Sequence, residues 1–247
     1  MPPLPPDRLA ALNDGTAAAR TLAECLAVDQ PALARAVVGH DAVVRAAEEG
    51  KALGISRQMA AIGAAVAAVL PADAVERLAG HPSDTVRGWA AFAIGRGADI
   101  GVPLPERLAA QRRFAADGHF GVREWAWLAV RPFIVQDMAG AIAALIPWTA
   151  DADPTIRRFA VEATRPRGVW CEHSAALKRD PDPGLPLLEP LRADPARYVQ
   201  DSVANWLNDA AKTAPDWVRG VCAGWAGSPN PATARIIQRA TRSLPKE

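Results

Sequence analysis

The chain has 247 residues, half of them hydrophobic, with 54 alanines, 22 prolines and 18 glycines. That apolar share can bury a sizeable core, and charged residues at 22% exclude a highly charged disordered chain. The net charge of +1 argues at first against a polyanion binder, yet 24 of the 28 basic residues are arginine, whose planar fork suits phosphate and carboxylate.

The start, MPPLPPDRLA, lacks the charged and apolar regions of a signal peptide. Cys25, Cys171 and Cys222 are scattered and odd in number, so they predict neither a disulfide framework nor a paired metal site. The most apolar run, residues 60–70, is too short to cross a bilayer, and a soluble, cytoplasmic protein is expected. Residues 1–80 read as less regular helical pairs, with apolar positions such as Leu22 and Leu26 at helical spacing. No stretch alternates with period two for more than a few residues. Breaks fall at Leu70-Pro71, Gly80-His81-Pro82, Pro103-Leu104-Pro105 and Asp153-Pro154, which predicts many helices of roughly 10–15 residues. The fold class is all-α. Residues 1–106 carry 9 basic and 12 acidic side chains and residues 107–247 carry 19 and 15, so a polyanion partner would favour the second half.

Four segments repeat from residue 81 onward, each a turn followed by an apolar anchor: Val86, Val122, Ile156 and Val199, spaced by 36, 34 and 43. Arg87, Arg123, Arg157 and Gln200 follow the anchors directly. The spacing and the turn-plus-Val-Arg pattern resemble HEAT repeats, which implies stacked antiparallel helix pairs in an α-solenoid with a concave binding face. The organisation expected is one domain over residues 1–247, with 1–80 as an amino-terminal cap and 81–247 as recognisable repeats. Three residues past each anchor stand Trp89, Trp125, Phe159 and Ser202, a stripe suited to packing between repeats. Positions two, six and ten past the anchors share another stripe. It reads Gly88 and Phe92, then Glu124 and Leu128, Arg158 and Glu162, and finally Asp201, Asn205 and Asp209. A solvated helix face and a functional row of carboxylates both fit it.

The stretch Arg158-Phe-Ala-Val-Glu162-Ala-Thr-Arg165-Pro-Arg167-Gly-Val-Trp170 is similar to the Glu-x-x-Arg-Pro-Arg-x-x-Trp segment of the AlkC-type DNA alkylation repair glycosylases. Residues 198–212, Tyr-Val-Gln-Asp-Ser-Val-Ala-Asn-Trp-Leu-Asn-Asp-Ala-Ala-Lys, resemble a second segment, and residues 234–244 look like the family's final helix. Two departures stand out. Gly168-Val169 replaces Leu-Pro, and Gln200 replaces an arginine, removing one possible phosphate ligand.

The resemblance implies hydrolysis of the N-glycosidic bond of a cationic alkylated purine of the 3-methyladenine type, within base excision repair. The partner implied is double-stranded DNA containing alkylated bases, bound by a monomer without a cofactor, metal or membrane. Such a base is already a good leaving group, so the need is to stabilise an oxocarbenium-like sugar and position a water, which a carboxylate can do. Carried over by resemblance, Asp209 stands beside the sugar and its water, Glu162 adds electrostatic stabilisation, Glu124 is a weaker third carboxylate, and Trp170 faces the cation. Arg165 and Arg167, past the helix end, are expected at phosphate. Arg158 reads either as a phosphate ligand or as an i, i+4 ion pair to Glu162. Asn205 and Asn208 either touch DNA or bridge helices, and Lys212 either meets the backbone or neutralises Asp209. No lysine on the stripe suggests a Schiff base, so a monofunctional enzyme is expected, with modest affinity for unmodified DNA and a shallow salt dependence. A non-catalytic scaffold binding DNA or protein and an AlkD-like enzyme for N7, N3 or bulky adducts are the competing readings. Cys171-Glu172-His173 has no second ligand pair nearby, and His40, His81 and His119 are expected in turns facing solvent.

Overall fold

The computed structural model describes residues 4–97 and 101–245, so Met1 to Pro3 of the amino-terminal stretch lie outside the described residues. The chain forms two compact units, Met1–Val130 and Arg131–Glu247. Among the described residues the regular structure is helical, without strands, as the absence of period-two patterning predicts.

The first unit holds Pro6–Asn13 (α1), Leu22–Ala27 (α2), Gln30–Val37 (α3), Asp41–Gly50 (α4), Ile55–Val69 (α5), Ala72–Ala79 (α6), Asp84–Arg96 (α7) and Leu104–Ala115 (α8). Phe120–Gln136 (α9) runs across the division. Its core centres on α5, which packs against α4 and α7. Close approach there needs small residues: a Cβ at Gly63 would lie 2.4 Å from that of Phe92. Longest of the apolar stretches in the sequence, α5 has Ile62 and Val66 fully buried, and no described helix is long and apolar enough to cross a membrane.

The second unit holds Met138–Leu145 (α10), Pro154–Glu162 (α11), Ala175–Arg179 (α12), Leu185–Leu188 (α13), Arg197–Ala211 (α14), Pro215–Trp225 (α15) and Pro231–Ala240 (α16). Its centre is α14, packed on α11, α15 and α16. Proline opens α11, α15 and α16, where a missing N–H costs nothing.

All four repeat anchors are buried, Val86, Val122 and Val199 completely and Ile156 almost so. The aromatic stripe is core too, with Trp89, Trp125 and Phe159 buried. The residue after each anchor performs one job four times over. Arg87 donates to the carbonyl of His81 at 2.7 Å, Arg123 to Asp117 at 2.7 Å, Arg157 to Asp151 at 2.8 Å and Gln200 to Asp194 at 2.8 Å, always six residues back. Arg87 and Arg157 also fork onto Asp117 and Asp194, the turn acids of later repeats. Position 200 is therefore a buried turn clasp, in which glutamine does through Nε2 what arginine does in the other repeats.

Of the three histidines expected to face solvent, His40 does and the other two do not. His40 is exposed, His81 is half-buried, and His119 is largely buried, with Nε2 2.6 Å from the carbonyl oxygen of Ala19. The reason is local: in each, Nδ1 accepts from the backbone N–H two residues on, at Ala42, Ser83 and Gly121. The rings thus cap turns. His119 Nδ1 also lies 3.6 Å from Asp84, which takes the backbone N–H of Ala19 at 2.7 Å and faces the Cys25 thiol at 3.6 Å. Burial pushes that thiol up to about 12, so it is inert as a nucleophile.

Candidate active site

The two carboxylates singled out in the second half come together around one arginine. Glu162 ends α11, whose start is fixed by Asp153 accepting from the N–H of Thr155. Beyond that end the chain turns through Arg165-Pro166-Arg167 toward α12, and the turn is closed by the N–H of Ser174 donating to the Pro166 carbonyl at 3.0 Å. The guanidinium of Arg165 folds inward. Its Nη1 donates to Glu162 Oε1 at 2.6 Å. Nε and Nη2 both approach Asp209 Oδ2, at 2.9 and 2.8 Å. Asp209 reaches this point from α14, 44 residues on.

Glu162 and Asp209 are 4% and 3% exposed, so the polar stripe is interior here and not a solvated face. Two buried carboxylates stay charged only if something offsets their desolvation. Burial alone would push the Glu162 carboxyl up. The charges of Arg158 and Arg165, with hydrogen bonds from Ser202 and Arg165, outweigh it and hold the group below its ordinary range. Ser202 Oγ donates to Glu162 Oε2 at 2.5 Å, and Arg158 Nη2 lies 3.6 Å from the same oxygen. The remaining Asp209 oxygen, Oδ1, faces Lys212 Nζ at 3.2 Å.

Several expected DNA ligands are committed elsewhere. Arg165 is shared between the carboxylates and buried, so the structure corrects its assignment from phosphate ligand to bridging cation. Arg158 makes the i, i+4 pair and lays its guanidinium over the Tyr198 ring at 4.3 Å. Asn208 is buried and bridges α14 to the end of α16, donating to the Ala240 carbonyl at 3.0 Å and to Ser243 at 2.6 Å. Asn205 accepts from Arg242 at 3.0 Å. Lys212 neutralises Asp209. Arg167, by contrast, makes no hydrogen bond or ion pair among the described residues, and its Nε is left without a partner. Glu124 belongs to the first unit and accepts from Trp127 Nε1 at 2.9 Å.

Trp170 stands out twice. It is 44% exposed, and its φ of +59° lies in the left-handed region that bulky residues avoid. The turn that presents it is held by a residue that no motif marks. Arg131, 2% exposed, donates from Nη1 to the Ala163 carbonyl at 2.6 Å, from Nη2 to that of Arg165 at 2.7 Å, and from Nε to that of Glu172 at 3.2 Å. One guanidinium thus ties the start of the turn to its far side. Its signal in the sequence is a lone arginine inside the apolar run Trp125–Ile134. Ser202 is legible as the one small hydroxyl on an otherwise aromatic stripe.

A helical-repeat fold with this ionic centre defines a class, and the comparisons identify the family. Residues 83–221, more than half of the chain, match the family described as DNA alkylation repair enzyme, and the chain belongs to it. Among solved structures it is similar to the Pseudomonas fluorescens alkylpurine DNA glycosylase AlkC bound to DNA containing an abasic site analog. That match has 25% identity and a TM-score of 0.66, covering 96% of this chain and 62% of AlkC. AlkD2 from Streptococcus mutans shares the fold, with 19% identity, a TM-score of 0.64, and coverage of 83% and 98%. The uncharacterised protein YhaZ of Bacillus subtilis is 45% identical over 119 residues, 48% of this chain and 33% of YhaZ. The chain thus spans a third of YhaZ and less than two thirds of AlkC.

Proposed function

We propose that the protein is a DNA glycosylase hydrolysing the N-glycosidic bond of cationic alkylated purines, of the 3-methyladenine type, in duplex DNA. The observation that carries the reading is the pair of buried carboxylates, Glu162 and Asp209, bridged by Arg165 and joined by a short turn to an exposed tryptophan. Family membership and the likeness to a DNA-bound glycosylase support it.

The geometry divides the labour. Arg165 fixes Asp209 Oδ2, leaving Oδ1 as the oxygen that orients water and faces the sugar. Lys212 covers Oδ1 from a half-exposed position and moves aside when a phosphate competes for it. With Lys212 aside, Arg158 and Arg165 balance the two carboxylates overall, but only Arg165 reaches Asp209, through Oδ2, so Oδ1 is the unpaired oxygen where an oxocarbenium ion would develop. Glu162 lies behind and holds Arg165 in place. Trp170 offers its π-face to the departing cationic base, an interaction worth about 1–2 kcal/mol when desolvated. Among the described residues the lysine at this centre, Lys212, is ion-paired to Asp209, which supports hydrolysis without strand cleavage.

The test is release of methyladenine from methylated duplex DNA, followed by chromatography. Wild type releases it, and Asp209→Asn lowers the single-turnover rate by roughly 10²–10³-fold with DNA binding retained, the magnitude of losing one preorganised electrostatic group. DNA binding without release by wild type, where a control enzyme works, would instead favour a scaffold.

A further inference from the structure

From the edge formed by α14 and α16, we infer that a row of arginines there is a phosphodiester-backbone track leading toward the Asp209 centre. Arg235 and Arg239 stand at i, i+4 on α16, and Arg242 follows in the turn beyond it. Arg235 and Arg239 share one carboxylate: Arg235 Nη2 is 2.6 Å and Arg239 Nε 3.1 Å from Asp201 Oδ1. Arg242 spends its donors on neutral acceptors, the Arg239 carbonyl at 2.6 Å and Asn205 Oδ1 at 3.0 Å, so its charge is not offset by an ion pair. At the other end Arg197 is exposed and makes no ion pair or hydrogen bond among the described residues. Arg197 and Arg235 line a cavity of about 430 Å³ with Gln200 and Asn230.

These observations fit a strand better than a small anion. The charges are spread along a helix and its following turn, not gathered on one point. Forked guanidiniums prefer phosphate oxygens, and the residues at the two ends of the row, Arg197 and Arg242, are exposed. The row also ends near the chemistry: Arg242 holds Asn205, one helical turn before Asp209 on α14. Likeness to the family's final helix gives these arginines no role; their spacing and their shared acid do.

This inference rests on DNA being the partner, as proposed above, but its test does not use the cleavage reaction. Affinity for unmodified duplex DNA is measured by fluorescence anisotropy at several salt concentrations. Arg197→Gln/Arg242→Gln removes two charges that make no ion pair among the described residues, and thermal unfolding of the variant checks that the fold is kept. The slope of log K against log salt is expected to become shallower by about 0.9 for each phosphate that the variant no longer neutralises. Arg45→Gln/Arg57→Gln, a charge-matched pair of exposed arginines on α4 and α5, leaves the slope unchanged. An equal effect in that control would overturn the track, because net charge would then explain it. Saturable binding of inorganic phosphate that Arg197→Gln abolishes, with the duplex slope untouched, would also overturn it and mark a small-anion pocket. Absence of methyladenine release alongside the expected slope change would remove the glycosylase reading and leave the track standing.

Discussion

Helices α7 and α11 occupy the same place in their repeats, yet they fill the same two positions in opposite ways. Two and six residues past its anchor, α7 has Gly88 and Phe92. A Cβ on Gly88 would lie 2.6 Å from Met59 and 2.7 Å from the Trp125 ring, and Phe92 is buried against Trp125 with centroids 6.3 Å apart. The corresponding residues of α11 are Arg158 and Glu162, and Glu162 is buried just as Phe92 is. The backbone frame thus tolerates either dry packing or an ionic centre. The ionic version needs a closed set of partners, which is why Arg158, Arg165 and Ser202 all converge on Glu162.

The sharpest test of that contrast sets Arg165→Ala against Phe92→Ala. Removing Arg165 strands two buried carboxylates and is expected to lower the unfolding free energy by about 3–5 kcal/mol. Truncating Phe92 leaves a cavity and costs about 3–5 kcal/mol. Denaturant titration at neutral pH would not tell them apart, but titration across pH would. In the Arg165 variant Glu162 loses one of the two cations that offset its burial, its carboxyl moves up, and part of the deficit is recovered on acidification. The Phe92 deficit is independent of pH. A pH-independent Arg165 deficit would mean that its role is packing.

The wild type carries the opposite sign. Glu162 is held below its unfolded value, so its contribution to stability is complete above the unfolded pKa of about 4.3 and is lost as pH falls through the folded value. Acid unfolding of Glu162→Gln, followed by circular dichroism, is therefore expected to be less steep in that window. An equally steep transition would place the acid-sensitive group elsewhere.

The fold was legible because the features that make it are local. Anchors at near-regular spacing, proline breaks and the lack of alternation are enough for an all-helical repeat. The pairing of Glu162 with Asp209 was legible only as two members of one stripe, because 44 residues separate Arg165 from Asp209 and nothing local says which way a guanidinium turns. That is why Arg165 read as a phosphate ligand, and Asn208 stayed open between DNA and a helix bridge, when their partners lie inside. The role of Gln200 was hidden for a related reason: a clasp to a carbonyl six residues back uses the donor and ignores the charge, so glutamine serves where arginine stands in the other repeats. Arg131 carries no motif, and its three carbonyl partners exist only once the turn has formed.

Trp170 tests the turn with a smaller expected effect. Trp170→Ala removes an exposed ring and is expected to slow release by roughly 5–30-fold, the equivalent of about 1–2 kcal/mol. Stability should change little. Arg131→Met, which leaves the turn's carbonyls unclasped, should cause a similar slowing together with a loss of stability. The pair separates presenting the ring from being the ring. If Trp170→Ala releases base at the wild-type rate, the ring has no part in the reaction and the turn is structural.

Lys212 carries the smallest expected effect. Its side chain is 47% exposed, and buried Asp209 keeps its pair with Arg165 when the lysine is removed, so Lys212→Met should unfold near the wild-type midpoint. In the proposed mechanism Lys212 leaves Asp209 Oδ1 before water is oriented, so its removal should not slow the single-turnover step. DNA affinity should fall with a salt slope shallower by about 0.9, the value for one phosphate left unneutralised. A rate loss as large as that of Asp209→Asn would give Lys212 a part in the chemistry. Borohydride trapping of a protein–DNA adduct in wild type, abolished in Lys212→Met, would overturn hydrolysis without strand cleavage and make this lysine a nucleophile.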